Sequence, residues 1–278
     1  MPNALLPTGV DLYYESHGQG EPLILVPSTA FSGAVWKPWQ MPLAESLNLI
    51  AHDPRGCGRS VAAQTVYTIE QMAADVIALM DHLKITAAHL LGHSMGGRIA
   101  LCLTQNFPGR VKSLIMAASG SGPAARPGSD CITGLPHRLV VDLVKMGFEK
   151  YVYHEICESD TFFTKDYRAS HRAEVEEFYK LAWATHAGLP EFVHLCIARH
   201  NWEGTHRLGD VKVPTLVVIG DNDSGGSNHV AQSEVLAKRI PSAELKVLKD
   251  QSHGFFWQAP QETNALILDW VKRHSAAK

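Results

Sequence analysis

The feature that most constrains the fold is Gly92-His93-Ser94-Met95-Gly96-Gly97, a serine set among glycines where the sequence pattern changes. Ahead of it, Ala88-His89-Leu90-Leu91 has the unbroken apolar character of a short buried strand. Behind it, Arg98-Ile99-Ala100-Leu101-Cys102-Leu103 opens an apolar helix. Ser94 therefore falls on a sharp strand-to-helix turn. Residues two before and two after such a serine crowd neighbouring backbone, where a side chain would clash, and Gly97 lets the helix press against the sheet. The pentapeptide alone fits two readings: a mount for a nucleophile, or a glycine-rich turn whose serine caps the helix.

The rest of the chain supplies an α/β frame around this turn. Val10-Asp11-Leu12-Tyr13-Tyr14-Glu15 alternates with period two and predicts an antiparallel opening strand, while Leu23-Ile24-Leu25-Val26 reads as a central one. Further strands are predicted over Leu47-Asn48-Leu49-Ile50-Ala51, Leu114-Ile115-Met116-Ala117, Thr215-Leu216-Val217-Val218-Ile219 and Leu245-Lys246-Val247-Leu248. Thr68 with Gln71 forms a capping box for a helix whose apolar face is Ile69, Met72, Val76, Leu79 and Leu83. The alternation predicts a mostly parallel sheet covered on both faces. With 278 residues and 45% hydrophobic content, the chain can bury one large core plus a modest insertion.

Between Gly122 and Pro214 the strand signals vanish and amphipathic stretches such as Leu139–Val144 and Glu174–Tyr179 take over. Residues 123–210 are expected to form a helical cap, entered through Pro123-Ala124-Ala125-Arg126-Pro127-Gly128, with 1–122 and 211–278 as the core domain. Inserted after a strand, such a block can lie as a lid over the carboxyl ends of the parallel strands, where open α/β sheets bind ligands.

A serine hydroxyl is a poor nucleophile near neutral pH and needs a base, itself held by a carboxylate. Gly220-Asp221-Asn222-Asp223 follows the predicted 215–219 strand at the edge expected to carry Ser94. Asp223 is the chosen acid, because Asp221 can serve the tight turn through its own backbone. Of 15 histidines, His253 stands out by position, on a loop past the final strand and before the terminal helix. His52, His82, His89 and His93 lie in or beside regular elements and read as structural.

Composition excludes several classes. Twenty-five basic residues against 28 acidic ones lack the electrostatic footprint of a nucleic-acid binder. No run of apolar residues is long enough to span a membrane, and the first residues lack a signal-peptide pattern, so a cytoplasmic location is expected. The 5 cysteines (Cys57, Cys102, Cys131, Cys157, Cys196) are scattered, which suits reduced thiols, and Cys57 reads as a small buried residue. No metal or cofactor is expected: HExxH and nucleotide-binding glycine loops are absent, and His200, Glu203 and His206 are irregularly spaced and read as exposed polar residues.

The order Ser94, Asp223, His253 resembles that of the α/β-hydrolase superfamily, and the likeness runs from near the start to the terminal helix. Asp53-Pro54-Arg55-Gly56-Cys57-Gly58-Arg59-Ser60 is similar to the superfamily's DxRGxGxS turn. Phe107-Pro108-Gly109-Arg110-Val111 is similar to its helix-to-strand connection, and Ser252-His253-Gly254-Phe255-Phe256 to its histidine loop. The resemblance implies an eight-stranded sheet flanked by helices, and an oxyanion hole made by the backbone N–H groups of Met95 and Thr29. One element departs from it: where the family writes His-Gly after the strand ending at Val26, this chain has Pro27-Ser28-Thr29. Some lactonases of the superfamily share that proline.

A serine nucleophile implies an acyl-enzyme, hence hydrolysis of a small apolar ester or lactone by a monomer or homodimer with no nucleic-acid or membrane partner. Relatives that cleave carbon–carbon bonds often carry asparagine at the position of His93. Two alternatives stay open: carbon–carbon hydrolysis or other non-ester chemistry on the same fold, and ligand binding without turnover. Candidate substrate-binding residues are Ser28, Phe31, Trp36, Met146, Phe148, Trp183 and Trp257.

Overall fold

Strands whose successive residues are all apolar need cover on both faces, and that requirement places them at the centre of a sheet with helices on either side. A computed structural model describes residues 3–37, 39–63, 66–123, 135–224 and 228–275. Its strands are β1 (Asn3–Leu5), β2 (Val10–His17), β3 (Glu21–Val26), β4 (Leu47–His52), β5 (Val61–Ala62), β6 (Ala88–His93), β7 (Val111–Ala117), β8 (Thr215–Gly220) and β9 (Ala243–Leu248). In space they run β1-β2-β4-β3-β6-β7-β8-β9, with β5 beside β2 as the ninth strand. The eight on the path match the expected sheet, and β5 is a two-residue addition. Strands β6 and β8 are buried at every position, whereas β9 at the edge is largely exposed and β2 is buried only at Val10 and Leu12.

Strand β2 is antiparallel to β1 and β4, while β4, β3, β6, β7, β8 and β9 are mutually parallel. Their carboxyl ends therefore share one edge. Period-two alternation splits the core between the two faces. Ile24, Val26, Leu90 and Met116 pack with helices α1 (Ile69–His82) and α2 (Met95–Asn106), and Leu23, Leu25, Leu91 and Ile115 pack on the opposite face. Helix α1 starts at the predicted capping box: Gln71 N–H donates to the Thr68 hydroxyl, and Thr68 N–H to the Gln71 side chain.

Between β7 and β8 the described residues form α3 (His137–Met146), α4 (Phe148–Tyr153), a π-helical turn over His154–Glu158, α5 (Lys165–Ser170), α6 (Arg172–Ala184) and α7 (Leu189–Asn201), with no strand among them. The stretches 139–144 and 174–179 lie in α3 and α6. The linker residues 124–128 and Cys131 lie outside the described residues. Helices α8 (His229–Arg239), α9 (Phe255–Gln258) and α10 (Pro260–Arg273) complete the chain. No helix among the described residues is long and apolar enough to cross a membrane.

Candidate active site

Ser94 sits between β6 and α2 with φ 55° and ψ −116°, a backbone conformation that L-residues rarely adopt and that costs about 1–3 kcal/mol. Neighbouring groups hold it there. Ser94 N–H donates to Ala117 O at 2.8 Å, and the Ser94 carbonyl accepts from Ser119 Oγ at 2.6 Å and Gly97 N–H at 3.0 Å. The glycines are required by contact. A Cβ on Gly92 would meet Gly96 O at 2.3 Å, one on Gly96 would meet Val26 O at 2.1 Å, and one on Gly97 would meet Ser119 Oγ at 2.4 Å. Because Gly96 touches the end of β3, the start of α2 lies directly against the 27–29 loop.

The loops carrying Asp223 and His253 are tied to each other by backbone. Asp221 N–H donates to Leu248 O, Asn222 N–H donates to Gln251 O, and a Cβ on Gly220 would meet Gln251 O at 2.3 Å. That pairing delivers His253 Nδ1 to 2.8 Å from Asp223 Oδ2. A further imidazole shares the carboxylate: His229 Nδ1 lies 3.2 Å from Asp223 Oδ1, and its ring stacks on that of His253 at 4.7 Å. Burial alone would raise the Asp223 pKa, but the two histidines, through charge and N–H donation, hold it well below the usual carboxylate range. Burial pushes His229 down to about 4 against the opposing pull of Asp223, so near neutral pH it is an uncharged donor. Asp223, His229 and His253 have ligand atoms close enough to hold a metal ion, but here the carboxylate takes up an Nδ1–H from each ring.

His93 fixes the base from the other side. Its Nε2 lies 2.9 Å from His253 O and must be the donor, since a carbonyl can only accept. The ring is buried among Trp36, Phe162, Phe255, Phe256 and Trp257, and burial together with neighbouring His253 keeps it far below the ordinary histidine range. Ser94 is the next residue in sequence. Among the described residues, however, no hydrogen bond joins the Ser94 hydroxyl to His253. Such bonds are commonly long without substrate and tighten in the reactive complex.

Met95 opens α2, where the first N–H groups have no intrahelical acceptor. Neither Met95 N–H nor Thr29 N–H is used in a hydrogen bond among the described residues. The loop holding Thr29 turns through Ala30 at φ 64° and is pinned beyond it by Asp53, whose carboxylate accepts from Gly33 N–H at 2.9 Å. Arg59 clamps that carboxylate through its backbone N–H and its guanidinium. The DxRGxGxS turn is thus a fastener for the loop beside Ser94, and Arg55 anchors it to α1 through paired 2.7 Å bonds to Asp75. Cys57 is buried there, its thiol pKa raised by burial.

Of the substrate-binding candidates, Ser28 is buried on this loop and Phe31 meets the rings of Phe162, Phe178 and His186. Phe148 packs on Trp183, His186 and Phe192, while Met146 is half-buried at the end of α3. Trp36 and Trp257, expected as pocket walls, are each 2% exposed and stack on one another, with Trp257 Nε1 donating to Val35 O at 2.8 Å. They are packing behind His93. His200, expected at the surface, is buried and accepts from Arg199 Nη2, whereas His206 is exposed.

Sequence reading missed His229, Ser119 and Phe162. The last braces the histidine loop, its carbonyl accepting from Gly254 N–H at 2.6 Å. Ser119 was open to discovery, lying just past β7 on the edge that carries Ser94. His229 was hidden among 15 histidines.

Comparison with known proteins agrees with this architecture. The family described as the alpha/beta hydrolase fold matches residues 21–260. A protein of Variovorax paradoxus named carbamate hydrolase RutD is 30% identical over 269 residues, covering 95% of this chain and 97% of that one. The solved enol-lactonase of Burkholderia xenovorans is 26% identical with a TM-score of 0.82, over 98% of this chain and 100% of that one. Est816, described as an N-acyl homoserine lactone degrading enzyme, is 28% identical with a TM-score of 0.78, over 94% and 97% of the two chains.

Proposed function

The chain belongs to the α/β-hydrolase fold family and is a hydrolase of that fold, and we propose that it cleaves a carboxylic ester or lactone of a small substrate through an acyl-enzyme on Ser94. The observation that carries the reading is the convergence, on one sheet edge, of a strained serine, a histidine bonded to an ionised buried aspartate, and two backbone N–H groups without acceptors.

In this mechanism His253 Nε2 takes the proton of Ser94 as the hydroxyl attacks the carbonyl carbon. Asp223 holds the Nδ1–H tautomer and stabilises the imidazolium that forms, and its depressed pKa keeps it charged for that task. The N–H groups of Met95 and Thr29 stabilise the oxyanion, and His253 returns the proton to the leaving alkoxide. Water deprotonated by His253 then attacks the acyl carbonyl and releases the acid, restoring Ser94. Proline at position 27 removes neither donor of this mechanism, because both are backbone N–H groups of other residues.

Lactones and carbamates, the compounds in the relatives' names, each present an acyl carbonyl bearing a heteroatom leaving group. Against carbon–carbon cleavage stands His93, which is spent on His253 O and sunk among aromatic rings. The test is Ser94→Ala, with folding checked by circular dichroism. Hydrolysis of short activated esters and lactones should fall by about 10³-fold or more, and labelling by a fluorophosphonate should map to Ser94. Unchanged turnover in the variant would overturn the reading.

A further inference from the structure

A cation on α7 faces the oxyanion loop without a counter-charge. Arg199 Nη1 donates to Thr29 Oγ1 at 3.2 Å and Nη2 to His200 Nε2 at 3.0 Å, while its buried Nε has no partner. Both acceptors are neutral, and no carboxylate among the described residues lies within salt-bridge distance of the guanidinium. Thr29 is the residue that supplies the second oxyanion N–H in the proposed mechanism. Arg98, four residues past Ser94 on α2, is buried and donates to the Arg199 carbonyl. Arg199 is thus bracketed by the two elements that carry the oxyanion donors.

A half-buried guanidinium is costly without an anion to share its N–H groups, and those left over on Arg199 retain the planar geometry that receives a carboxylate in a fork. We propose that Arg199 anchors a carboxylate on the substrate, so that the preferred ester or lactone is a small acid whose free carboxylate lies within reach of its scissile carbonyl. The inference rests on the Ser94 hydrolase reading for its reaction and on Arg199 for its selectivity. Arg98 and the N-terminus of α2 add positive potential on the same side, which favours an anionic substrate further.

The test compares monomethyl succinate with methyl 4-methylpentanoate, in which an uncharged branched end replaces the carboxylate. The wild-type protein should favour the acid by kcat/KM. Arg199→Gln should reduce that preference about 100-fold, chiefly through KM, and Arg199→Lys should restore part of it. Because Arg199 also contacts Thr29, a small loss on the neutral ester is expected, and the readout is the ratio between substrates. A ratio unchanged by Arg199→Gln overturns the proposal. Calorimetric binding of monomethyl succinate to Ser94→Ala protein separates this outcome from failure of the hydrolase reading. Binding that Arg199→Gln abolishes supports the anchor even if neither ester is turned over, and binding that survives it rejects the anchor.

Discussion

The carboxyl edge of the sheet and the helices between β7 and β8 touch along the 29–32 loop, yet different forces hold them. At the edge, position follows from backbone. The β6–β7 and β8–β9 ladders fix where Ser94 and Asp223 emerge, and close glycine contacts at 92, 96 and 220 leave the loops little alternative. The helical segment is joined to that edge by scattered single bonds, such as Ala187 N–H to Ala30 O, Gly204 N–H to Ser121 O and Ser32 Oγ with Thr185 Oγ1. It also forms an aromatic seam in which Phe162 and Phe178 pack on Phe31 and Trp257. A hydrogen-bonded edge suits groups that must be held within tenths of an ångström, and an apolar seam holds helices in place without that directional constraint.

Substitutions on the two sides should separate accordingly. The largest effect is expected for Asp223→Asn, which keeps the shape but reverses the hydrogen bond that sets the His253 tautomer. On the proposed mechanism kcat falls about 10⁴-fold, equivalent to about 5.5 kcal/mol, with KM little changed. Steady-state kinetics on one ester checks it, and a KM effect of similar size would break the distinction. Next comes Phe178→Ala in the seam. Phe178 is fully buried against Phe162, Phe163 and Trp257, so its loss should cost about 3–5 kcal/mol in stability by chemical denaturation and raise KM more than it lowers kcat. A fall in kcat with KM unchanged would show that the seam positions the reacting groups as well.

The same contrast explains what could be read from the chain beforehand. The placement of Ser94, Asp223 and His253 was legible because each follows a predicted strand, and parallel strands deliver such residues to a common edge. The contacts of Asp53, by contrast, emerged only in the folded chain. Asp53, Gly33 and Arg59 are separated in sequence by turns whose conformation depends on one another. The burial of Trp36 and Trp257 was hidden for a related reason. A large aromatic residue near a site can line it or fill the space behind it, and only the packing of His93 assigns these two to the second role. His229 opens α8 just after Asn228, which caps the helix in the left-handed region, and six residues separate it in sequence from the carboxylate it meets.

The effect expected to be smallest on activity concerns the pH dependence of stability and again divides the molecule. Burial lowers His52 and His89, both in the sheet, and His229 beside Asp223 from 6.5 to about 4. Each stays neutral in the folded protein and takes up a proton on unfolding between those values, so the unfolded chain binds more protons there. Stability from these groups is fully present above pH 6.5 and is lost as pH falls toward 4, by at most about 1.4 kcal/mol per pH unit for each histidine. Denaturation midpoints measured from pH 7.5 to 4.5 should decline over that window, and His229→Gln should make the decline shallower. A stability that rises on acidification would contradict the burial argument. An unchanged slope in His229→Gln would assign the pH dependence to the sheet histidines and leave His229 fixed by Asp223 at every pH tested.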